Sequence, residues 1–158
     1  MTDSNNPFMQ EAIALSLHSM RTGKGGPYGA VVVKDGEIIG RGMNEVTSRH
    51  DPTAHAEMTA IREACQSLQS WQLLGCELYT SCEPCPMCMA TIYWAKLARV
   101  YYANTKEDAA QFGFNSLSIY QELALPIERR QLPMDQLMQE QALVAFEEWQ
   151  NKADKAPY

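Results

Sequence analysis

His55-Ala56-Glu57 and, further along, Pro84-Cys85-Pro86-Met87-Cys88 put one imidazole, two thiols and one extra carboxylate into two short stretches. Three nitrogen and sulfur ligands can hold Zn²⁺ with the fourth tetrahedral position left for water. A carboxylate that is not a ligand is then free to move that water's protons. The chemistry predicted is hydrolytic, with His55, Cys85 and Cys88 on the metal and Glu57 carrying protons.

The spacing says how these groups must be held. Cys85 and Cys88 are three apart, so they share a face of the first turn of a helix. Pro86 suits a helix start, where its missing N–H costs nothing, and Pro84 turns Glu83 away from helical geometry. Both thiols then lie at the positive end of the helix dipole, which favours thiolates. His55 and Glu57 are two apart, about 200° around a helix interior. They can meet only if His55 stands at a helix start, with Thr53 as its cap.

The other chemical residues have plainer readings. Cys82 forms a second C-x-x-C with Cys85, which alone reads equally as a redox pair or a structural zinc site. His-x-Glu upstream and the proline before Cys85 favour catalytic zinc. Cys82 is left as a spare thiol at a strand end, and Cys65 and Cys76 as small buried hydrophobes. His18 and His50 have no partner by spacing and belong to surface or capping positions. Tyr93-Trp94 either pack in the core or wall a pocket for a planar heterocycle. Asn44 is either a turn residue or an amide reading the edge of a ligand.

The elements around them follow from periodicity. Phe8 to Arg21 carries apolar residues at three- and four-residue steps and predicts a helix that ends at Gly23-Lys24-Gly25-Gly26-Pro27. Tyr28 to Val33, Asp35-Gly36 and Glu37 to Gly42 predict a hairpin. A loop from Asn44 to Pro52 leads into the His55 segment and a helix to about Gln66. Cys76 to Thr80 and Arg99 to Ala103 predict strands around a helix from Pro84 to Ala95. Glu107 to Tyr120 suggests short helical turns broken at Gly113. Residues 126–133 offer a further strand, and Gln139 to Asn151 a helix with Leu143, Phe146 and Trp149 on one face. The order predicts a single α/β domain over 1–158: three layers, α/β/α, with a central mixed five-stranded sheet flanked by helices.

Composition narrows the function class. The chain has 158 residues, 46% of them hydrophobic and 20% charged, with a formal net charge of −6. That length supports one core. The acidic balance disfavours a broad phosphate-binding surface, hence a nucleic-acid partner. No apolar run approaches the ~20 residues that span a bilayer. Met-Thr-Asp-Ser-Asn-Asn lacks the features of a signal peptide. A cytoplasmic location is expected, where five cysteines serve metal or catalysis in preference to disulfides.

His-x-Glu followed by Pro-Cys-x-x-Cys is the mark of the zinc nucleobase deaminases. Together with Gly26-Pro27-Tyr28-Gly29-Ala30, Asp51-Pro52-Thr53-Ala54 and Ser81-Cys82-Glu83, it resembles the cytidine deaminase superfamily. Ile92-Tyr93-Trp94-Ala95, Gly113-Phe114 and Ser118-Ile119-Tyr120 make the chain most similar to its small bacterial guanine deaminases. The resemblance runs over nearly the whole length. It implies Zn²⁺ on His55, Cys85 and Cys88, and Glu57 as proton shuttle. It implies a purine-type substrate near Asn44, Ala56, Trp94, Phe114, Ser116 and Tyr158. It further implies a homodimer whose C-terminal helix and tail, 139–158, exchange between subunits. One position departs from the family: Ser116 stands where these enzymes carry an acid after Gly-Phe. Asp108 and Glu107 are alternative carboxylates for that place. Guanine is the leading substrate, with guanosine, another aminopurine or an aminotriazine open beside it. A tRNA adenosine deaminase and a catalytically silent zinc-binding interaction protein are the rival readings.

Overall fold

The computed structural model describes residues 5–156. The described residues fall into two units that meet at Gln121/Glu122.

The first unit carries the zinc motif. Its elements are α1 (Pro7–Arg21), β1 (Gly29–Lys34), β2 (Glu37–Met43), α2 (Val46–Arg49), α3 (Ala56–Leu68), β3 (Glu77–Cys82), α4 (Pro86–Trp94), β4 (Arg99–Asn104), α5 (Lys106–Gln111) and α6 (Leu117–Leu123), which runs just past the boundary. Asn6 starts α1 by accepting from the N–H groups of Phe8 and Met9 through its side chain. The hairpin between β1 and β2 turns at Asp35 and Gly36, both at positive φ, as a two-residue Asp-Gly turn requires.

The strands form one sheet in the order β2-β1-β3-β4. β1 is antiparallel to both neighbours and β3 is parallel to β4, so the sheet is mixed. On one face Ala30, Val32 and Leu78 pack with Ala56, Ala60, Ile61 and Ala64 of α3 and Ile92 of α4. On the other, Val31, Val33 and Tyr79 pack with Phe8, Met9 and Leu15 of α1. This is the expected three-layer arrangement, with four strands among the described residues instead of five. The stretch 126–133 holds a 3₁₀ turn at Ile127–Arg129. Pro126, just before it, has no N–H to give a ladder.

Two glycines set how closely α3 lies on the sheet. A Cβ on Gly42 would stand 2.0 Å from the Ala56 carbonyl oxygen, and one on Gly40 would stand 2.3 Å from that of Ala60. The α3 backbone therefore rests directly on β2, and its first turn is placed against the sheet without side chains between.

The second unit contains the Ile127–Arg129 turn and α7 (Gln139–Asn151). Arg130 donates through Nε to the Leu125 carbonyl and through an outer guanidinium nitrogen to that of Leu123. No residue from Glu122 to Ala156 is buried, and Leu143, Phe146 and Trp149 of α7 are all exposed. Tyr158 lies outside the described residues.

Candidate metal centre and active site

His55 and Cys85 each occupy the residue just before a helix, α3 and α4, in extended geometry (ψ 156° and 169°). Cys88 follows on the first turn of α4, with Pro86 at its first position. His55 is thus at the helix start that its distance from Glu57 demanded. Thr53 is not the cap; its N–H and hydroxyl both go to the Asp51 carboxylate, in an Asx turn that leads into the helix.

His55 Nδ1 lies 3.6 Å from each of the two sulfurs, and the sulfurs lie 3.6 Å from one another. A tetrahedral zinc with bonds of ~2.3 Å to sulfur and ~2.0 Å to nitrogen has edges of roughly 3.8 Å between sulfurs and 3.5 Å between sulfur and nitrogen. The triangle fits zinc on all three sides. These are the residues that come together as a potential ligand group, and Cys82 is not among them. Cys82 ends β3 with its thiol toward the Thr105 carbonyl, and burial pushes that thiol up to about 11.

At these distances the two sulfurs and the imidazole act on one another's protons. Hydrogen bonding to Cys88 brings the Cys85 thiol down to about 4, with His55 adding to the effect. The same bond, then burial, drives Cys88 upward. Hydrogen bonding to Cys85 raises His55. Zinc would take the place of these protons, because thiolate and neutral imidazole are the ligating forms.

Glu57 sits on the first turn of α3, 5% exposed. Its Oε2 is 3.5 Å from Cys88 Sγ, and its Oε1 is 3.4 Å from the hydroxyl of Thr80 on β3. Burial, first of all, holds its carboxyl above the ordinary value. A buried carboxyl beside the candidate ligands but outside their triangle is what proton transfer at a metal site needs.

Above these groups opens a cavity of about 370 Å³. That is at the small end for ligand pockets and suits one bicyclic heterocycle. His55, Glu57 and Cys85 reach it from below. Asn44, Thr47, Tyr28, Phe114 and Ser116 stand around it, with Tyr28 and Phe114 edge to face at 5.3 Å. Asn44 Oδ1 accepts from the N–H groups of Gly26 and Val46. Those donors fix the amide's orientation, so its NH₂ is the end left for a ligand, which must offer an acceptor there.

Not every expected contact is at the cavity. Ala56 is fully buried in the core beside the sheet and does not line it. Trp94 ends α4, about 12 Å along the helix from Pro86 at its start, and is 64% exposed. Tyr93 is 76% exposed, so core packing does not hold for this pair. Asp108 is committed to a capping box with Thr105, and Glu107 is exposed beside Lys106; neither lines the main cavity. Glu83 does line it, but it is held by Lys106 at 2.7 Å. No motif assigns a role to Tyr28, Thr47 or Thr80. Alternation along β3, where Leu78, Thr80 and Cys82 share a face, is the signal that could have found Thr80.

Comparison with known proteins agrees with this geometry. The model of the cytidine and deoxycytidylate deaminase zinc-binding region matches residues 2–104. Guanine deaminase of Bacillus subtilis (strain 168) is 48% identical over 155 residues, 98% of this chain and 99% of that one. The X-ray structure of guanine deaminase from Bacillus subtilis superposes with a TM-score of 0.95 at 48% identity, over 98% of this chain and 99% of the other. The structure of guanine deaminase from Nitrosomonas europaea gives a TM-score of 0.66 at 29% identity, over 70% of this chain and 65% of the other. The tRNA-specific adenosine deaminase of Aquifex aeolicus is 48% identical over 77 residues, 49% of this chain and 51% of its own.

Proposed function

The chain belongs to the cytidine and deoxycytidylate deaminase family, and on that premise we propose that it hydrolyses guanine to xanthine and ammonia. The observation that carries this reading is the His55–Cys85–Cys88 triangle with the buried, non-ligating Glu57 beneath a cavity sized for one base. Similarity to a guanine deaminase over nearly the full length supports the choice of base. The Aquifex tRNA enzyme matches only about half the chain.

His55, Cys85 and Cys88 would hold zinc, which would supply a Lewis acid that makes water nucleophilic near neutral pH. Glu57 takes a proton from the water as its oxygen adds to C2 of guanine, and delivers it to the adjacent ring nitrogen. Glu57 then moves the second water proton to the amino group, which leaves as ammonia. Asn44 donates from its NH₂ to an acceptor on the purine, and Phe114 with Tyr28 packs against the flat ring. Ser116 offers a hydroxyl at the cavity, at the position where the family resemblance implies an acid.

The second unit belongs to this reading through dimerisation. A 13-residue helix is marginal alone in water. The exposed Leu143, Phe146 and Trp149 support exchange of 139–158 with a second copy, in a cytoplasmic homodimer. Trp149→Glu should then give a monomer in analytical ultracentrifugation.

The test of the function is ammonia release from guanine, guanosine, other aminopurines and aminotriazines, with and without chelation of the metal. Guanine is expected to be the best substrate, with activity lost on chelation and restored by zinc. No turnover of any of them by the zinc-loaded protein would overturn the proposal and favour a silent zinc-binding protein. Inosine formation in an RNA stem-loop would favour the tRNA enzyme.

A further inference from the structure

Thr80 lies at the centre of the sheet, 1% exposed, on the face of β3 turned to α3. Its shape suits a buried strand, but a valine would suit it equally and bring no hydroxyl to bury. The hydroxyl has two acceptors, Glu57 Oε1 at 3.4 Å and the Cys82 carbonyl at 3.1 Å, and one proton to give. The other Glu57 oxygen, Oε2, faces Cys88 Sγ at 3.5 Å.

The two oxygens of Glu57 thus have different neighbours: Oε2 faces a sulfur on α4, and Oε1 faces the Thr80 hydroxyl on β3. The terminal torsion of a glutamate is broad, so an unanchored carboxylate turns. We propose that Thr80 is a positioning residue whose hydroxyl holds Oε1 of Glu57 and leaves Oε2 as the oxygen that carries the proton. The assignment rests on the reading of Glu57 as proton shuttle, and it adds which of the two oxygens works and what makes them differ.

The experiment compares wild type, Thr80→Val and Thr80→Ser, each also combined with Glu57→Gln. Infrared difference spectra of the zinc-loaded, substrate-free proteins, with minus without Glu57→Gln, isolate the Glu57 carboxylate band. Zinc content and melting temperature are measured alongside, then kcat and KM on guanine. Thr80→Val should retain zinc, shift the carboxylate band, and lower kcat about tenfold with KM within about twofold. Thr80→Ser should restore the band and most of the rate. In the Glu57→Gln background Thr80→Val should cost no further rate, because the group it positions is gone. An unshifted band in Thr80→Val would overturn the assignment, as would a loss in Thr80→Ser equal to that in Thr80→Val. If wild type releases no ammonia from guanine, the functional reading fails, while the band still decides the role of Thr80.

Discussion

Replacing Gly42 by alanine tests whether the sheet sets the position of the first turn of α3, which carries Glu57. The new Cβ would stand 2.0 Å from the Ala56 carbonyl oxygen and 2.6 Å from the Ala60 nitrogen, where real Cβ atoms essentially never come closer than 3.0 Å. Both obstacles are backbone, so no side chain can swing away. The first turn of α3 must retreat by about 1 Å, and it carries Glu57, two residues after the candidate ligand His55. A misplacement of ~1 Å at reacting groups costs on the order of 10²-fold in rate. Overpacking costs about 1–3 kcal/mol of stability, or roughly 2–12 °C in Tm for a chain of this size. Gly40→Ala provides the comparison, since its Cβ meets Ala60 and Ala64 further along the same helix. Both variants should lose similar stability by calorimetry. Gly42→Ala should lose about 10²-fold in kcat/KM for guanine and bind zinc more weakly, and Gly40→Ala should lose under about tenfold. A Gly42→Ala enzyme within about threefold of wild type, or an equal loss in Gly40→Ala, would refute the argument that close packing on β2 places the site.

Cys85→Ser should abolish stoichiometric zinc by metal analysis and Cys82→Ser should retain it; the reverse pattern would reassign the ligands. Glu57→Gln should keep zinc and fold and lose ~10²–10⁴ in rate, and turnover within about twofold of wild type would exclude it as proton carrier. Ser116→Asp should raise kcat/KM for guanine about tenfold, since a hydrogen bond to a charged group contributes ~1.5–3 kcal/mol. Asp108→Ala should lower Tm by a few degrees through its lost cap and leave kcat within about twofold; a large fall in kcat would return Asp108 to the substrate site. The Glu83 carboxyl is held below its ordinary 4.5, first by the hydrogen bond from Lys106. The stability from that pair is therefore complete above the ordinary value and lost as pH falls through the lower folded one. Glu83→Gln should flatten the acid limb of a Tm–pH curve, and an unchanged limb would show the pair to be inert.

Much of this protein was decided by local rules that the chain spells out. Asp35-Gly36 can make a two-residue hairpin turn wherever it sits. Pro86 starts a helix for steric reasons, which places Cys85 and Cys88 on one end of it. His55 and Glu57, two apart, could share a site only at a helix start, and that is a property of the helical period. Zinc chemistry was legible because ligand type and short spacing are themselves local. Packing decided the rest. Gly40 and Gly42 look like ordinary strand breakers until α3 is seen lying on them. The strand expected at 126–133 became a 3₁₀ turn, since a ladder needs a neighbour as well as a sequence. Asp108 looked free to reach a substrate, and its oxygens went to Thr105. Trp94 looked like a pocket wall and ended at the far end of α4. Thr80 is 23 residues from Glu57 and belongs to no motif that reaches it, so no spacing rule could bring its hydroxyl to that carboxylate. Only the packing of α3 and α4 on the same face of β3 does that, because the partners of a buried carboxyl are chosen by the tertiary fold.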